Sequence, residues 1–183
     1  MLFTETKLPG AYIIDLEKLE DERGFFARAW CEREILAQGL DGTILQCNLS
    51  FNKRKGTLRG MHYQLPPYAE VKLVRCVRGG IYDVIIDLRP DSSTFLQWVA
   101  VELTAENRRM LYIPKRFAHG FQTLLDGTEV FYQMSEVHSQ DHASGVRWND
   151  PLFHIVWPEA DRIISLKDQE YPNADPRHLN SLI

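Results

Sequence analysis

The sequence contains 183 residues with a formal net charge of −4 at pH 7, and 44% of the residues are hydrophobic while 25% are charged. This length predicts a single domain with a substantial buried core, and the composition is typical of a globular protein, which excludes a disordered or fibrous one. Because the net charge is negative and Lys and Arg form no long cluster, we expect neither a nucleic-acid partner nor binding to an anionic membrane.

The cysteines and the first residues predict the cellular compartment. Cys31, Cys47 and Cys76 form no CxxC pair and are odd in number, which favours reduced thiols over a disulfide framework. The opening MLFTETKLPG carries acid and proline where a signal peptide would need an apolar core, and no apolar run approaches the ~20 residues of a membrane span. We therefore expect a cytoplasmic protein.

Few elements are predicted in the first third of the chain. A short strand, AYIIDL at 11–16, could pair across a dimer interface. The best helix candidate is CEREILAQGL at 31–40, which contains a glycine near its end that suits a C-terminal cap. The run TLRGMHYQ at 57–64 is typical of a strand.

From residue 71 onward, short runs with β propensity follow one another, separated by turn sequences rich in Gly, Asp and Asn. The regular spacing and the lack of helical periods predict an antiparallel β-sandwich or barrel. The runs are VKLVRCVRG (71–79), IYDVIIDLRP (81–90), FLQWVAVEL (95–103), RRMLYIP (108–114), FQTLL (121–125) and EVFYQMSEV (129–137).

After these runs, the sequence SGVRWNDPLFHIVWPEADR at 144–162 resembles a loop rich in Trp and Pro. We expect its aromatic residues to cover an open end of the barrel. Residues 1–183 are thus predicted to form one domain, with a C-terminal segment from about 150 to 183 that covers the barrel.

The run at 57–64 places Arg59 and His62 where a core would favour apolar residues. In a regular strand these two side chains point to opposite faces, so they share a site only if Gly60 bends the strand. In the next strand, Lys72 is a lone cation among apolar neighbours and is expected to need an anion. The alternative is structural: a solvated charge at Lys72 and a hydrogen-bonded core histidine at His62.

A metal site is a second explanation for His62 in a β-barrel. Barrels that bind metals in this way use a His-x-His pair, whereas His62 is followed two residues later by Gln64. His119 alone could supply a later ligand. The spacing therefore favours a site without metal.

Several motifs occur together and in order: DERGFF (21–26), KGTLRGMHYQ (55–64), KLVRCVRGGIYDVIIDLR (72–89), AVELTAENRRMLYIPKRFAHGF (100–121), RWNDP (147–151) and SLKD (165–168). On these motifs the chain resembles the dTDP-4-dehydrorhamnose 3,5-epimerase family, nucleotide-sugar epimerases of the cupin superfamily. The resemblance covers roughly residues 3–170. It implies an all-β, cupin-type jelly-roll barrel with a few short helices, a homodimer, and no metal or other cofactor.

The resemblance also implies a catalytic set. His62 matches the general base, Asp168 the carboxylate that orients it, and Tyr132 the general acid, while Arg59 and Lys72 match positions that face the carbonyl oxygen of the substrate. These roles fit the chemistry, because removing a proton beside a ketone requires a base and a stabiliser of the resulting enolate. A carboxylate on the far ring nitrogen fixes the histidine tautomer and favours the imidazolium that forms.

Other matched positions imply contacts to the nucleotide or sugar, with arginine suited to a pyrophosphate because its planar group donates hydrogen bonds in pairs. These positions are Arg23, Phe25, Gln46, Asn48, His119 and Lys167.

Three positions depart from the family pattern, and all of them concern the nucleotide end. His138 stands where the family usually has a tyrosine that stacks on thymine, Ala143 replaces an acidic residue, and Arg28 replaces the acid after DERGFF. An imidazole can stack on a base with a smaller area, so His138 remains a candidate binding residue. A CDP- or GDP-linked sugar is therefore an alternative to a dTDP-linked one.

The sequence thus predicts an isomerase of deoxysugar and polysaccharide biosynthesis. It would epimerise C3, C5 or both in a nucleotide-linked 4-keto-6-deoxyhexose, with conversion of dTDP-4-dehydro-6-deoxy-D-glucose to dTDP-4-dehydro-L-rhamnose as the leading expectation. The alternatives are an epimerase of one centre, a ketoisomerase, a non-catalytic module that binds sugar nucleotides, and a metal-dependent oxygenase, which Gln64 disfavours.

Overall fold

Fourteen strands and two short helices form the regular structure of residues 1–177 and 179, the part of the chain that the computed structural model describes. The strands are β1 (Leu2–Glu5), β2 (Tyr12–Asp15), β3 (Leu19–Asp21), β4 (Gly24–Phe26), β5 (Gln46–Asn52), β6 (Thr57–Gln64), β7 (Lys72–Arg78), β8 (Gly80–Asp87), β9 (Trp98–Thr104), β10 (Met110–Ile113), β11 (Phe117–Thr123), β12 (Thr128–Met134), β13 (Ala143–Gly145) and β14 (Ile163–Ile164). The helices are α1 (Glu32–Ala37) and α2 (Leu166–Glu170).

Most strands belong to two sheets. The first sheet has the order β1-β2-β10-β7-β12-β5, and the second has the order β13-β6-β11-β8-β9, with β14 beside β6. All pairings are antiparallel except that of β14 with β6. The strands β3 and β4 form a separate hairpin. The predicted all-β architecture with short helices is confirmed.

The predicted elements correspond closely to the observed ones. The run at 57–64 is β6 along its whole length, and the six later runs each contain or overlap one of the strands β7 to β12. The strand predicted at 11–16 is β2, but both its edges are occupied, by β1 and β10. It therefore has no free edge for pairing across a dimer interface.

The main core lies between the two sheets and contains alternate residues of their strands, such as Val74, Ile85, Leu111, Phe121 and Val130. Alternation explains this arrangement, because only every second side chain of a strand faces inward.

A second apolar cluster covers the outer face of the second sheet. Val84 and Ile86 of β8 pack with Val146, Phe153 and Trp157 from the loop-like C-terminal region. The strand β8 is therefore buried on both faces, which accounts for its nearly continuous run of apolar residues. Of the C-terminal segment at about 150–183, residues 178 and 180–183 lie outside the described residues. No helix in the described part of the chain is long and apolar enough to cross a membrane.

Candidate active site

An open cavity of about 420 Å³ contains most of the side chains singled out from the sequence. Its walls come from β5, β6, β7, β12, β13 and the segment around α2. A smaller neighbouring cavity of about 190 Å³ shares part of this wall and adds His119. The predicted residues that line the larger cavity are Gln46, Asn48, Arg59, His62, Lys72, Tyr132, His138, Lys167 and Asp168.

Gly60 brings Arg59 and His62 to the same cavity. It has a φ of +138°, and a side chain there would place a Cβ 2.5 Å from the Cα of Gly120. The β11–β6 register shifts at this point, between His119 and Phe121. Only a residue without a Cβ can adopt this conformation at such a close approach. The condition set from the sequence, a strand irregularity at the glycine, is therefore met.

His62 and Asp168 form a hydrogen-bonded pair at the cavity wall. The Nε2 of His62 lies 2.8 Å from Oδ1 of Asp168, and Oδ2 accepts a hydrogen bond from the backbone N–H of Gly60 at 3.3 Å. Burial raises the pKa of Asp168, but the hydrogen bond and charge of His62, helped by Gly60 and Ser165, more than offset this, so the pKa is lowered overall. The carboxylate is thus held in its charged form.

Asp168 owes its position to the start of α2. Ser165 is the N-cap of this helix, and its hydroxyl accepts a hydrogen bond from the backbone N–H of Asp168 at 3.1 Å. This cap fixes the first turn, from which the buried Asp168 side chain reaches β6.

Tyr132 lies on the other sheet from His62. It belongs to β12 of the first sheet, whereas His62 belongs to β6 of the second, and both side chains line the cavity. Burial raises the pKa of Tyr132, with the charge of Arg59 acting in the opposite direction. The phenol therefore remains protonated at neutral pH and is available as a proton donor.

Lys72 and Arg59 are each held by a neighbouring polar group. Lys72 is buried, and its Nζ lies 2.6 Å from Oε1 of Glu70. The anion expected for Lys72 is thus present in the chain. Arg59 donates from Nε to Oδ1 of Asn52 at 2.8 Å. This bond fixes the guanidinium through its Nε and does not involve the two terminal nitrogens.

His119 forms a second histidine–carboxylate pair, which sequence reasoning missed. Its Nε2 lies 2.6 Å from Oδ1 of Asp83, a fully buried residue whose Oδ2 has no hydrogen-bond partner among the described residues. Burial raises the pKa of Asp83, although His119 and Lys72 act in the opposite direction. The sequence signal for this pair was Asp83, an acidic residue inside the apolar run IYDVIID.

The opposite end of the cavity is lined by amides and by the segment after β12. Gln46 donates from Nε2 to Oδ1 of Asn48 at 3.0 Å, and its Oε1 accepts from the backbone N–H of His138 at 3.0 Å. Lys167 of α2 also lines this cavity. These groups offer hydrogen bonds and a positive charge to a ligand.

The structure does not bring Arg23 and Phe25 to this cavity. Both lie on the exposed β3–β4 hairpin, where Arg23 forms an ion pair with Asp21 at 2.5 Å. The ring of Phe25 contacts two cations, with its centroid 5.2 Å from Nζ of Lys18 and 4.8 Å from Cζ of Arg108. Within one chain, these two residues are separate from the other predicted site residues.

Sequence reasoning also missed Glu70 and Tyr171, both of which line the cavity. Neither belongs to a motif that points to chemistry. Among residues 1–177 and 179, no three side chains of His, Cys, Asp or Glu come together as a possible metal site. Instead, His62 and His119 each bind a carboxylate of their own.

Comparisons with known proteins place this geometry in context. The family model described as dTDP-4-dehydrorhamnose 3,5-epimerase matches residues 5–175. A protein of that name from Shigella flexneri is 42% identical over 175 residues, which cover 93% of this chain and 96% of the relative.

Two solved structures show the same similarity in three dimensions. The enzyme of that name from Bacillus anthracis, solved with TDP and PPi bound, has a TM-score of 0.91 and 42% identity, and the match covers 94% of this chain and 99% of that one. A 3,5-epimerase from Legionella pneumophila, in complex with dTDP-4-keto-L-rhamnose, has a TM-score of 0.87 and 34% identity, with 94% and 92% covered. The predicted cupin-type jelly-roll fold is confirmed.

Proposed function

Because the chain belongs to the dTDP-4-dehydrorhamnose 3,5-epimerase family, we propose that it inverts C3 and C5 of dTDP-4-dehydro-6-deoxy-D-glucose and so produces dTDP-4-dehydro-L-rhamnose. The observation that carries this proposal is the placement of His62, with its bound Asp168, and Tyr132 on different sheets around one cavity. A base and an acid on different walls can act on the two faces of one sugar ring, which is what inversion requires.

His62 is the base in this proposal. A carboxylate can only accept hydrogen bonds, so the Nε2 that faces Asp168 carries the ring proton. This tautomer leaves the Nδ1 lone pair free to take a proton from the carbon beside the keto group. As the imidazole becomes positively charged, the charged Asp168 stabilises it.

Lys72 and Arg59 stabilise the enolate. When the proton leaves, negative charge moves to the carbonyl oxygen, and cations fixed in advance stabilise that charge without reorganisation. Glu70 occupies one of the three N–H donors of Lys72, which leaves two for the substrate. Asn52 similarly occupies only the Nε of Arg59.

Tyr132 then returns a proton to the other face of the enolate, which inverts the centre. The same cycle at a second carbon completes the conversion. His119 binds the sugar from the adjoining cavity, held by Asp83.

The nucleotide occupies the end of the cavity lined by Gln46, Asn48, His138 and Lys167. The diphosphate is matched by the positive charge of Lys167, and the amides offer hydrogen bonds to the base. The bound TDP of the Bacillus anthracis relative supports thymidine as the carrier. His138 in place of a stacking tyrosine makes carrier selectivity the part of the proposal to test first.

A cytoplasmic homodimer completes the proposal, with residues 1–183 as one domain per subunit. In a single chain, β5 is the last strand of the first sheet, and its Leu49 and Phe51 are 61% and 50% exposed. An apolar edge strand of this kind is usually covered in soluble proteins. In a dimer, Arg23 and Phe25 of the exposed hairpin can contribute to the cavity of the partner subunit.

Subunit mixing tests that arrangement. Chains carrying Arg23→Ala and chains carrying His62→Ala are each expected to be nearly inactive alone. If the arginine acts in the other subunit, a mixed dimer contains one intact site and activity returns. If mixing restores nothing, the arginine does not act across the interface.

The reaction is tested with dTDP-, CDP-, GDP- and UDP-4-keto-6-deoxyglucose in deuterated water, followed by NMR. We expect one deuterium at C3 and one at C5 of the dTDP-linked sugar, and loss of exchange in His62→Ala. Exchange at one carbon would indicate an epimerase of one centre, and movement of the keto group a ketoisomerase. Tight binding without exchange would indicate a binding module, and undiminished exchange in His62→Ala would refute the base assignment.

A further inference from the structure

Tyr171 lies against His62 at the cavity wall. The two ring centroids are 5.7 Å apart and the ring planes meet at 62°, so the contact is edge to face. Tyr171 itself lines the cavity, as Asp168 does. Its pKa is raised by burial first and then by the negative charge of Asp168, so its hydroxyl stays neutral. Tyr171 has no role in the mechanism proposed above.

Arg147 holds the backbone of Tyr171 in place. Its Nε donates to the carbonyl of Tyr171 at 3.1 Å, its Nη2 donates to the carbonyl of Gln169 at 3.2 Å, and its backbone N–H donates to the carbonyl of Pro172 at 3.0 Å. Hydrogen bonds from a charged donor are stronger than those between neutral groups. The segment that carries Asp168 and Tyr171 is therefore fixed at both ends, by the Ser165 cap and by this arginine.

Gly145 provides the space for the ring. A Cβ at this position would lie 2.6 Å from the carbonyl oxygen of Met61 and 2.8 Å from two ring carbons of Tyr171. In the β13–β6 pairing, Gly145 is the direct partner of His62. The phenol ring thus occupies the place of a missing side chain on the neighbour of the base.

We propose that Tyr171 is a positioning residue for His62, held by Arg147 and seated over Gly145. This inference rests on the proposed function, in which His62 removes the proton. The covalent bond to Cβ holds the imidazole at Cγ and the hydrogen bond to Asp168 holds it at Nε2, so the remaining motion is a tilt of the ring about the axis through these two atoms. The edge contact with Tyr171 blocks this tilt, so that the free Nδ1 keeps its direction toward the substrate.

Such restraint matters because proton transfer from carbon depends steeply on geometry. A displacement of about 1 Å can cost roughly 100-fold in rate. A positioning role predicts a loss in kcat with little change in KM, since the residue improves the alignment of the base and not the binding of the nucleotide.

Three variants test the proposal. Tyr171→Phe keeps the ring and removes the hydroxyl, so its kcat should stay within about 3-fold of the unmodified enzyme. Tyr171→Ala removes the ring, and its kcat should fall roughly 10- to 100-fold with KM nearly constant. The matched control is Tyr68→Ala. The ring that this variant loses packs on His142, with the two ring centroids 4.5 Å apart, and His142 does not line the cavity. Its kcat should not change.

A second measurement does not depend on turnover. Side-chain NMR couplings of His62 should report one rotamer in the unmodified protein and averaging in Tyr171→Ala. If that variant does not fold, Arg147→Lys replaces it. Lysine keeps the charge but has one nitrogen in place of the Nε and Nη2 that donate to two separate carbonyls. Its kcat should therefore fall while the unfolding midpoint stays measurable.

The outcomes separate the two proposals. An unmodified enzyme that shows no exchange would refute the function, whatever Tyr171 does. Two results would refute the positioning role alone, provided that the unmodified enzyme shows normal exchange. One is an unchanged kcat in Tyr171→Ala, and the other is a single ordered His62 rotamer in that variant. A loss in Tyr171→Phe as large as in Tyr171→Ala would also refute it, because the hydroxyl and not the ring would then be responsible.

Discussion

Replacing Asp168 with asparagine tests the electrostatic half of the proposed mechanism while keeping the size of the side chain. The Nε2–H of His62 at 2.8 Å and the backbone N–H of Gly60 at 3.3 Å donate to this carboxylate, and Ser165 also helps to lower its pKa. A carboxylate satisfies both, whereas an amide has one oxygen and one NH2 group. The amide oxygen of the Asp168→Asn variant should face the shorter bond to His62, which preserves the tautomer but removes the negative charge.

The size of the effect follows from this single change. A hydrogen bond between charged partners contributes about 1.5–3 kcal/mol, roughly twice a neutral one. In the proposed mechanism the imidazole of His62 becomes positive only as it takes the proton, so most of this energy is gained in the transition state. Since about 1.4 kcal/mol corresponds to a factor of ten, we expect kcat to fall about 10- to 150-fold in Asp168→Asn, with a smaller change in KM.

The assay is deuterium uptake by the dTDP-linked keto sugar at saturating concentration. The control is Asp150→Asn, because Asp150 is also buried and its two oxygens accept from the backbone N–H groups of Leu152 and Ala174 at 2.8 and 2.5 Å, outside the cavity. The control should lose stability and keep its kcat. A kcat of Asp168→Asn within about 2-fold of the unmodified enzyme would refute the claim that this charge supports the base.

Four further changes have defined outcomes. Tyr132→Phe should reduce net inversion about 100-fold or more while deuterium exchange on the His62 side continues, which NMR distinguishes. Glu70→Gln should lower the free energy of unfolding by about 1–3 kcal/mol in urea titrations, because the buried Lys72 loses its counter-charge. Gly120→Ala should cost about 1–3 kcal/mol by the same measurement, since the new Cβ would lie 2.7 Å from the carbonyl of Arg59. The folded-state pKa of Asp168 is lowered, so its carboxylate stabilises the fold above about pH 4 and this contribution is lost as the pH falls through the folded value. The stability difference between Asp168→Asn and the unmodified protein should therefore shrink in acid.

The strands were predictable because two local signals agree over most of the chain. Alternation of apolar residues and turn sequences at regular spacing place β7 to β12 within a few residues of their observed bounds. The sequence predicted that Arg59 and His62 share a site only if the strand bends at Gly60. Whether it bends could not be predicted, because no local pattern shows that Gly120 lies against Gly60. That contact joins strands far apart in sequence, and it decides which way Arg59 and His62 face.

The site residues that escaped prediction depend on contacts that no local pattern shows. Glu70 lies before a strand in the ordinary segment PPYAEVK, and its importance comes from the Lys72 side chain beside it. Tyr171 follows the short helix α2 and meets His62 only because the C-terminal segment returns to β6. Arg23 was predicted by resemblance, but in one chain it lies on an exposed hairpin, paired with Asp21 and apart from the cavity.

The two histidine–carboxylate pairs have similar geometry and opposite electrostatics. Burial raises the pKa of Asp83 despite the nearby His119, whereas in Asp168 the hydrogen bond and charge of His62 outweigh burial and lower it. The side chain of His62 is 41% exposed, and that of His119 is 10% exposed. A base that takes a proton from carbon must reach the substrate and must have a charged partner while it is positive. Of the two pairs, His62 with Asp168 has the more exposed ring and the carboxylate whose pKa is lowered, which is why the proposed mechanism assigns proton transfer to His62 and sugar binding to His119.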